Sequence, residues 1–93
     1  MIAKRVCYSG RVQGVGFRFA VRQIAAGFEV RGTVRNLPDG RVELEVIGDF
    51  DEVEEFLIEI RENSNLAHHI IEHFEEKLPL SDLENVKGFS ITG

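Results

Sequence analysis

The chain has 93 residues, 43% of them hydrophobic and 29% charged, with a single cysteine and a formal net charge of −5. That length makes one domain around one core, and the lone Cys7 excludes an internal disulfide and suits a reducing compartment. No apolar run approaches a membrane span, and Lys4 and Arg5 lead into no signal-peptide stretch, so a cytoplasmic protein is expected. The charge is unevenly spread. Residues 1–28 carry Lys4, Arg5, Arg11, Arg18 and Arg22 and no acid, whereas residues 29–93 carry a net −10. An acidic protein with one basic end is a poor general binder of nucleic acid and a reasonable host for one small anion in a positive pocket.

The first strand is expected over Lys4–Val12, with Val6, Tyr8 and Gly10 on one face and Cys7 and Ser9 on the other. A glycine-bearing loop follows. The first helix is expected over Phe17–Phe28, where Phe17, Val21, Ile24, Ala25 and Phe28 recur at helical spacing. Val30–Leu37 reads as the second strand, and Pro38-Asp39-Gly40 as a turn in which glycine supplies the positive φ. In the third strand, Arg41–Ile47, the apolar Val42, Leu44 and Val46 alternate with Arg41, Glu43 and Glu45. The second helix begins at an Asp49 cap, with Glu52 three residues on in a box-like arrangement. Its apolar stripe is Val53, Phe56, Leu57 and Ile60, and it should stop near Asn63-Ser64-Asn65. A fourth strand lies within His68–Glu76, where poor alternation points to a bulge or an edge position. Lys77–Lys87 reads as a polar connection containing Pro79, and Phe89 and Ile91 make a short last strand. The order β-α-β-β-α-β is that of the split βαβ: a ferredoxin-like α+β sandwich, an antiparallel sheet with two helices on one face, as a single domain over residues 1–93.

Residues 10–18 read Gly-Arg-Val-Gln-Gly-Val-Gly-Phe-Arg, at the passage from the first strand to the first helix. No Ser, Thr, Asp or Asn stands between positions 12 and 17 to cap the free amides of the first turn. Arg18 also places a positive charge at the positive end of the helix dipole. Such a start is completed by an anion from outside, held by the amides of Val15, Gly16, Phe17 and Arg18 and by the Arg18 fork. By spacing alone the segment reads equally as a tight turn that needs glycine. It is neither a P-loop, which requires Gly-Lys-Ser/Thr, nor a Rossmann turn.

Two motifs here carry a resemblance. Val12-Gln13-Gly14-Val15-Gly16-Phe17-Arg18 is similar to the active-site loop of the acylphosphatase family. Gly32-Thr33-Val34-Arg35-Asn36, followed by Asp39-Gly40, Val42 and Gly48, resembles the second motif of that family in the same register. The resemblance implies a hydrolase that cleaves the carboxyl–phosphate anhydride of small acyl phosphates. It implies that Arg18 binds the phosphoryl group, that the amides of Val15, Gly16, Phe17 and Arg18 complete the cradle, and that Asn36 orients the attacking water. Taken by spacing alone, Asn36 reads equally well as a turn residue that starts the hairpin.

The chemistry agrees with that implication. The loop has no Asp, Glu, His or Cys to serve as base or nucleophile, a serious gap for an ordinary phosphate ester. An acyl phosphate releases a carboxylate, whose conjugate acid has a pKa of about 4, so no general acid is required. A loose phosphoryl-transfer transition state needs mainly positioning and charge stabilisation. The expectation is a monomer with no cofactor and no metal, acting on a small acyl phosphate, binding inorganic phosphate, and engaging neither nucleic acid nor membrane. The alternative within the same fold is a catalytically silent anion-binding or regulatory domain. A third reading is a detached domain of a larger carbamoyl-phosphate-handling protein, against which a start at Met1 is weighed. An RNA-binding sheet is disfavoured by Glu43 and Glu45 on the third strand.

Other residues carry less. Gln13 is expected to tie the loop through its amide, and Arg22 to be exposed on the helical face of Arg18. His68, His69 and His73 invite a metal but lack an obvious third ligand, and are expected at the surface. Cys7 is expected as a small core residue rather than a nucleophile. Relative to the family pattern, Thr33 replaces a large aromatic, Tyr8 an aliphatic residue, and Glu29 a glycine for which Gly27 is expected to substitute. The match is loosest from Ala67 to Val86.

Overall fold

The computed structural model describes residues 1–93. Seven principal elements follow one another: β1 (Ile2–Gly10), α1 (Phe17–Ala25), β2 (Val30–Asn36), β3 (Val42–Gly48), α2 (Phe50–Ile58), β4 (Ile70–Leu78) and β5 (Phe89–Ile91). They build a five-stranded sheet in the order β4-β1-β3-β2-β5. The first four strands pair antiparallel, and short β5 joins β2 in parallel. This is the expected ferredoxin-like sandwich, with the parallel fifth strand added at one edge. No helix is long and apolar enough to cross a membrane.

Period-two alternation puts Val6 and Tyr8 of β1, Val34 of β2, and Val42, Leu44 and Val46 of β3 on one face, all fully buried. Against them pack Phe17, Val21 and Ala25 of α1 and Val53, Phe56 and Leu57 of α2, with Ile60 in the π-turn that continues α2 to Asn63. The opposite face is held differently. Arg5 on β1 reaches Glu45 on β3 at 2.9 Å and Glu76 on β4 at 2.7 Å, and Arg35 on β2 reaches Glu43 at 2.9 Å. The acids of β3 therefore meet cations across the strands, as cross-strand charge pairs should.

Several sequence expectations are corrected. Asp49 occupies the N-cap of α2 without a side-chain cap bond, and no box forms. Glu52 instead accepts the backbone N–H of Glu29 at 2.6 Å, tying α2 to the start of β2. The pull of a distant unpaired amide wins over the local box. Gly27 is not a left-handed C-cap: it has no positive φ, and α1 ends at Ala26 in ordinary right-handed geometry. β4 extends to Leu78 and lies at the sheet edge, as its poor alternation suggested, with a register shift opposite Ser9 and Gly10. The connection after it is not wholly polar. Leu83 is buried there with Ala3 and Ile47, and covers the outer end of β1 and β3.

Gly32 marks the tightest approach in the sheet. A Cβ there would collide with the Glu45 carbonyl and come within 3.1 Å of the Phe89 ring. Gly32→Ala is expected to destabilise the fold by about 2 kcal/mol, the usual scale of overpacking, read as a lowered urea midpoint. An unchanged midpoint would show that β2 can shift to make room.

Candidate active site

The loop between β1 and α1 reverses direction through two glycines with positive φ, Gly14 at 78° and Gly16 at 79°. Gly16 is the N-cap residue of α1, in left-handed geometry that a side chain resists. It brings no capping side chain, and the first turn contains no acid. The first loop-to-helix bond is Ala20 N–H to the Gly16 carbonyl, at 3.0 Å. The backbone N–H groups of Val15, Gly16, Phe17, Arg18 and Phe19 donate to nothing in the protein. Five consecutive free donors thus lie at the positive end of a helix dipole, an arrangement with the chemistry to hold an anion.

The loop is pinned from both sides. Gln13 donates through Nε2 to the carbonyls of Leu37 and Arg41, at 2.8 and 2.9 Å. Those carbonyls flank the β2–β3 turn, where Gly40 takes φ 94° as expected. Asp39 accepts the Arg41 N–H at 3.1 Å and its guanidinium at 2.8 Å, which holds the Asp39 carboxyl below its ordinary pKa. A depressed folded-state pKa means this tie is present at neutral pH and lost only as pH falls through the lowered value. From beneath, the buried Tyr8 ring packs on Phe17 with centroids 5.3 Å apart, and burial pushes the Tyr8 phenol pKa well up. The aliphatic-to-tyrosine departure at position 8 thus props the first turn of α1.

A cavity of about 170 Å3 opens at this point, lined by Val12, Gly14, Gly16, Phe17, Arg18, Phe19, Asn36 and Ile91. Of the residues expected at the site, Gly16, Phe17, Arg18 and Asn36 come together. Val15 does not line the cavity, and its side chain is exposed between the two left-handed glycines. Arg18 makes no ion pair or hydrogen bond with any side chain, although sixteen acids are available in the chain. Asn36 sits at the last position of β2, on the helix-bearing face it shares with Val34, and its Oδ1 is buried without a hydrogen-bond partner. An orphaned acceptor of this kind is expensive to keep. Thr33 lies on the opposite strand face and pairs with Glu45 and Ser90, so that departure bears on packing.

The decisive comparison is with known proteins. A family model described as acylphosphatase matches residues 4–91. The chain belongs to the acylphosphatase family. It is 36% identical over 92 residues to an acylphosphatase of Lacticaseibacillus paracasei, covering 99% of this chain and 97% of that one. It is also 36% identical over 91 residues to an acylphosphatase of Archaeoglobus fulgidus, covering 98% of each. The crystal structure of the acylphosphatase from Bacillus subtilis matches it with a TM-score of 0.87 at 31% identity, over the whole of both chains. The chain is an acylphosphatase-type hydrolase with the acylphosphatase fold.

Within this family frame the remaining candidates find their places. Arg22 is exposed and unpaired on α1, away from the cavity lining. His68 and His69 lie in a short 3-10 turn and His73 on β4, and no three His, Cys, Asp or Glu side chains converge as a ligand set. Cys7 is not in the core. It is half-buried on the outer sheet face, where burial pushes its thiol pKa up and disfavours the reactive thiolate. Val12 and Gly14 belong to the loop motif read from the sequence, whereas two lining residues lie in neither motif: Phe19 and Ile91. Phe19 carried a readable signal, an apolar residue off the buried stripe of α1. Ile91 carried none, because only β5 docking beside β2 brings it there.

Gln13→Ala removes the tie between loop and hairpin. It is expected to raise the Kd for inorganic phosphate about fivefold, the equivalent of about 1 kcal/mol for one hydrogen-bonding side chain. Isothermal titration calorimetry measures this, and an unchanged Kd would mean the glycine loop holds its shape unaided.

Proposed function

We propose that the chain hydrolyses small acyl phosphates without a metal, with Arg18 and the free amides of the loop holding the phosphoryl group and Asn36 orienting the water. The observation that carries this reading is the convergence on one cavity of residues with unbonded N–H donors, an unpaired arginine and Asn36, whose Oδ1 is buried without a partner.

The phosphoryl oxygens take the place of the missing cap, and the N–H groups meet the negative charge that spreads over them in the transition state. The Arg18 fork adds two charge-assisted bonds. Asn36 orients the attacking water through the side-chain amide it contributes to the cavity lining, and a half-turn of that amide exchanges the acceptor Oδ1 with the donor Nδ2 at little cost. The water oxygen forms a bond to phosphorus as the phosphorus–acyl oxygen bond breaks, and the electron pair of that bond leaves on the carboxylate. The carboxylate is stable as an anion at neutral pH, so no protein acid is needed. The proton of the water passes to a phosphate oxygen. Positioning and fixed charge do the work, and a Lewis acid has no step to perform.

Acetyl phosphate, with and without a chelator, tests this on the wild type beside Arg18→Ala and Asn36→Ala. The wild type is expected to turn over at the same rate in chelator. Arg18→Ala should lose about a hundredfold or more in kcat, as removal of a transition-state donor does, and Asn36→Ala about tenfold or more through lost orientation. Full rate in Arg18→Ala would overturn the phosphoryl assignment. A wild type that binds phosphate but never exceeds the uncatalysed rate would leave the silent anion-binding domain.

A further inference from the structure

The cavity has two chemically distinct ends, and the phosphoryl group accounts for one of them. The phosphoryl group engages the polar part of the lining, which is Arg18, Asn36 and the free amides of the loop. The remaining lining is apolar. Val12 and Phe17 are there because they belong to the core, each 1% exposed. Phe19 and Ile91 are not explained that way. Phe19 is 57% exposed and Ile91 is 36% exposed, and neither belongs to the buried core cluster. Both nevertheless line the cavity.

Their positions follow from the same elements that build the phosphoryl end. Phe19 is the residue after Arg18, in the first turn of α1 and off its buried stripe. Ile91 pairs with Val34, two residues before Asn36 on β2. The two side chains therefore flank the cradle from helix and sheet. Arg18 is the only cation in the lining, so a second anionic group on the substrate would meet no counter-charge inside the cavity.

Building on the reading of the site given above, we propose that Phe19 and Ile91 form the acyl subsite and make the enzyme select uncharged, apolar acyl groups, aromatic ones foremost. The anhydride lies between the two ends, with its phosphoryl group on the amides and its acyl group against the Phe19 ring and the Ile91 side chain. Contact removes apolar area of both partners from water. Acyl groups too small to reach that surface, or carrying a carboxylate of their own, gain nothing from it.

The test compares kcat/KM for benzoyl, acetyl and succinyl phosphate in the wild type, Phe19→Ala, Ile91→Ala and Phe50→Ala. Phe50 is an equally exposed phenylalanine on α2 that does not line the cavity. The wild type is expected to favour benzoyl over both other substrates, by about tenfold over acetyl. Phe19→Ala and Ile91→Ala should each cut the benzoyl-to-acetyl ratio by about threefold to tenfold, and Phe19→Leu should restore part of it. Phe50→Ala should leave the ratio alone. Active enzyme with an unchanged ratio in both cavity variants, or a wild type that prefers succinyl phosphate, overturns the acyl subsite and leaves the phosphoryl site standing. A wild type that hydrolyses none of the three overturns the phosphoryl site, and this subsite with it.

Discussion

Five adjacent backbone N–H groups, from Val15 to Phe19, have no acceptor anywhere in the chain. A helix start normally recruits a hydroxyl or carboxylate to satisfy such groups, and the sequence withholds every residue that could do so. The two left-handed glycines then turn the strand-to-helix loop along the cavity they line. Arg18 adds a charge that the dipole alone would repel. Each of these choices is unfavourable for the isolated helix, and an anion held by the loop would offset each of them. The burden falls on the rest of the fold, which must hold an under-bonded loop in shape.

It does so with contacts drawn from distant parts of the chain. The β2–β3 turn grips Gln13, and Tyr8 supports Phe17 from the sheet below. Glu52 closes the end of the α1–β2 connection by accepting the Glu29 amide. The distribution of charge follows the same logic. Of the five cations in the acid-free N-terminal stretch, Lys4 and Arg5 are taken up by glutamates on neighbouring elements, with Lys4 3.0 Å from both Glu54 and Glu75. Arg11, Arg18 and Arg22 stay unpaired. Half of the six cations without an ion pair thus lie in the loop or on α1, the others being Arg31, Lys77 and Lys87.

Much of the architecture was legible because it rests on local rules. Alternation in Val42, Leu44 and Val46 and the 3.6-residue spacing of Val53, Phe56, Leu57 and Ile60 report burial directly. The start of α1 at Phe17 followed from the glycine loop before it. The errors fall where a local preference met a stronger non-local partner. Asp49 and Glu52 match a capping box, but Glu52 serves the Glu29 amide instead. Gly27 looks like a C-cap, but α1 ends without needing one. Cys7 is apolar enough for a core, but the outer face of β1 is where the parity of Val6 and Tyr8 sends it. The end of β4 and the burial of Leu83 depend on the edge of β1 and on Ala3 and Ile47, which local sequence does not contain.

The sequence by itself determined the loop's chemistry: glycine where φ must be positive, no cap, an arginine at the wrong end of a dipole, and an asparagine eighteen residues further on. Those are properties of residue types at short range, so spacing alone reveals them. The tertiary structure decided which of them meet. Strand pairing brings Asn36 to the cavity that Arg18 also lines and leaves Oδ1 without a partner, and parallel docking of β5 on β2 brings Ile91 to the same opening. Side chains separated by most of the chain become neighbours only through sheet register, and that register is anchored where β1, β2 and β3 bury one face together.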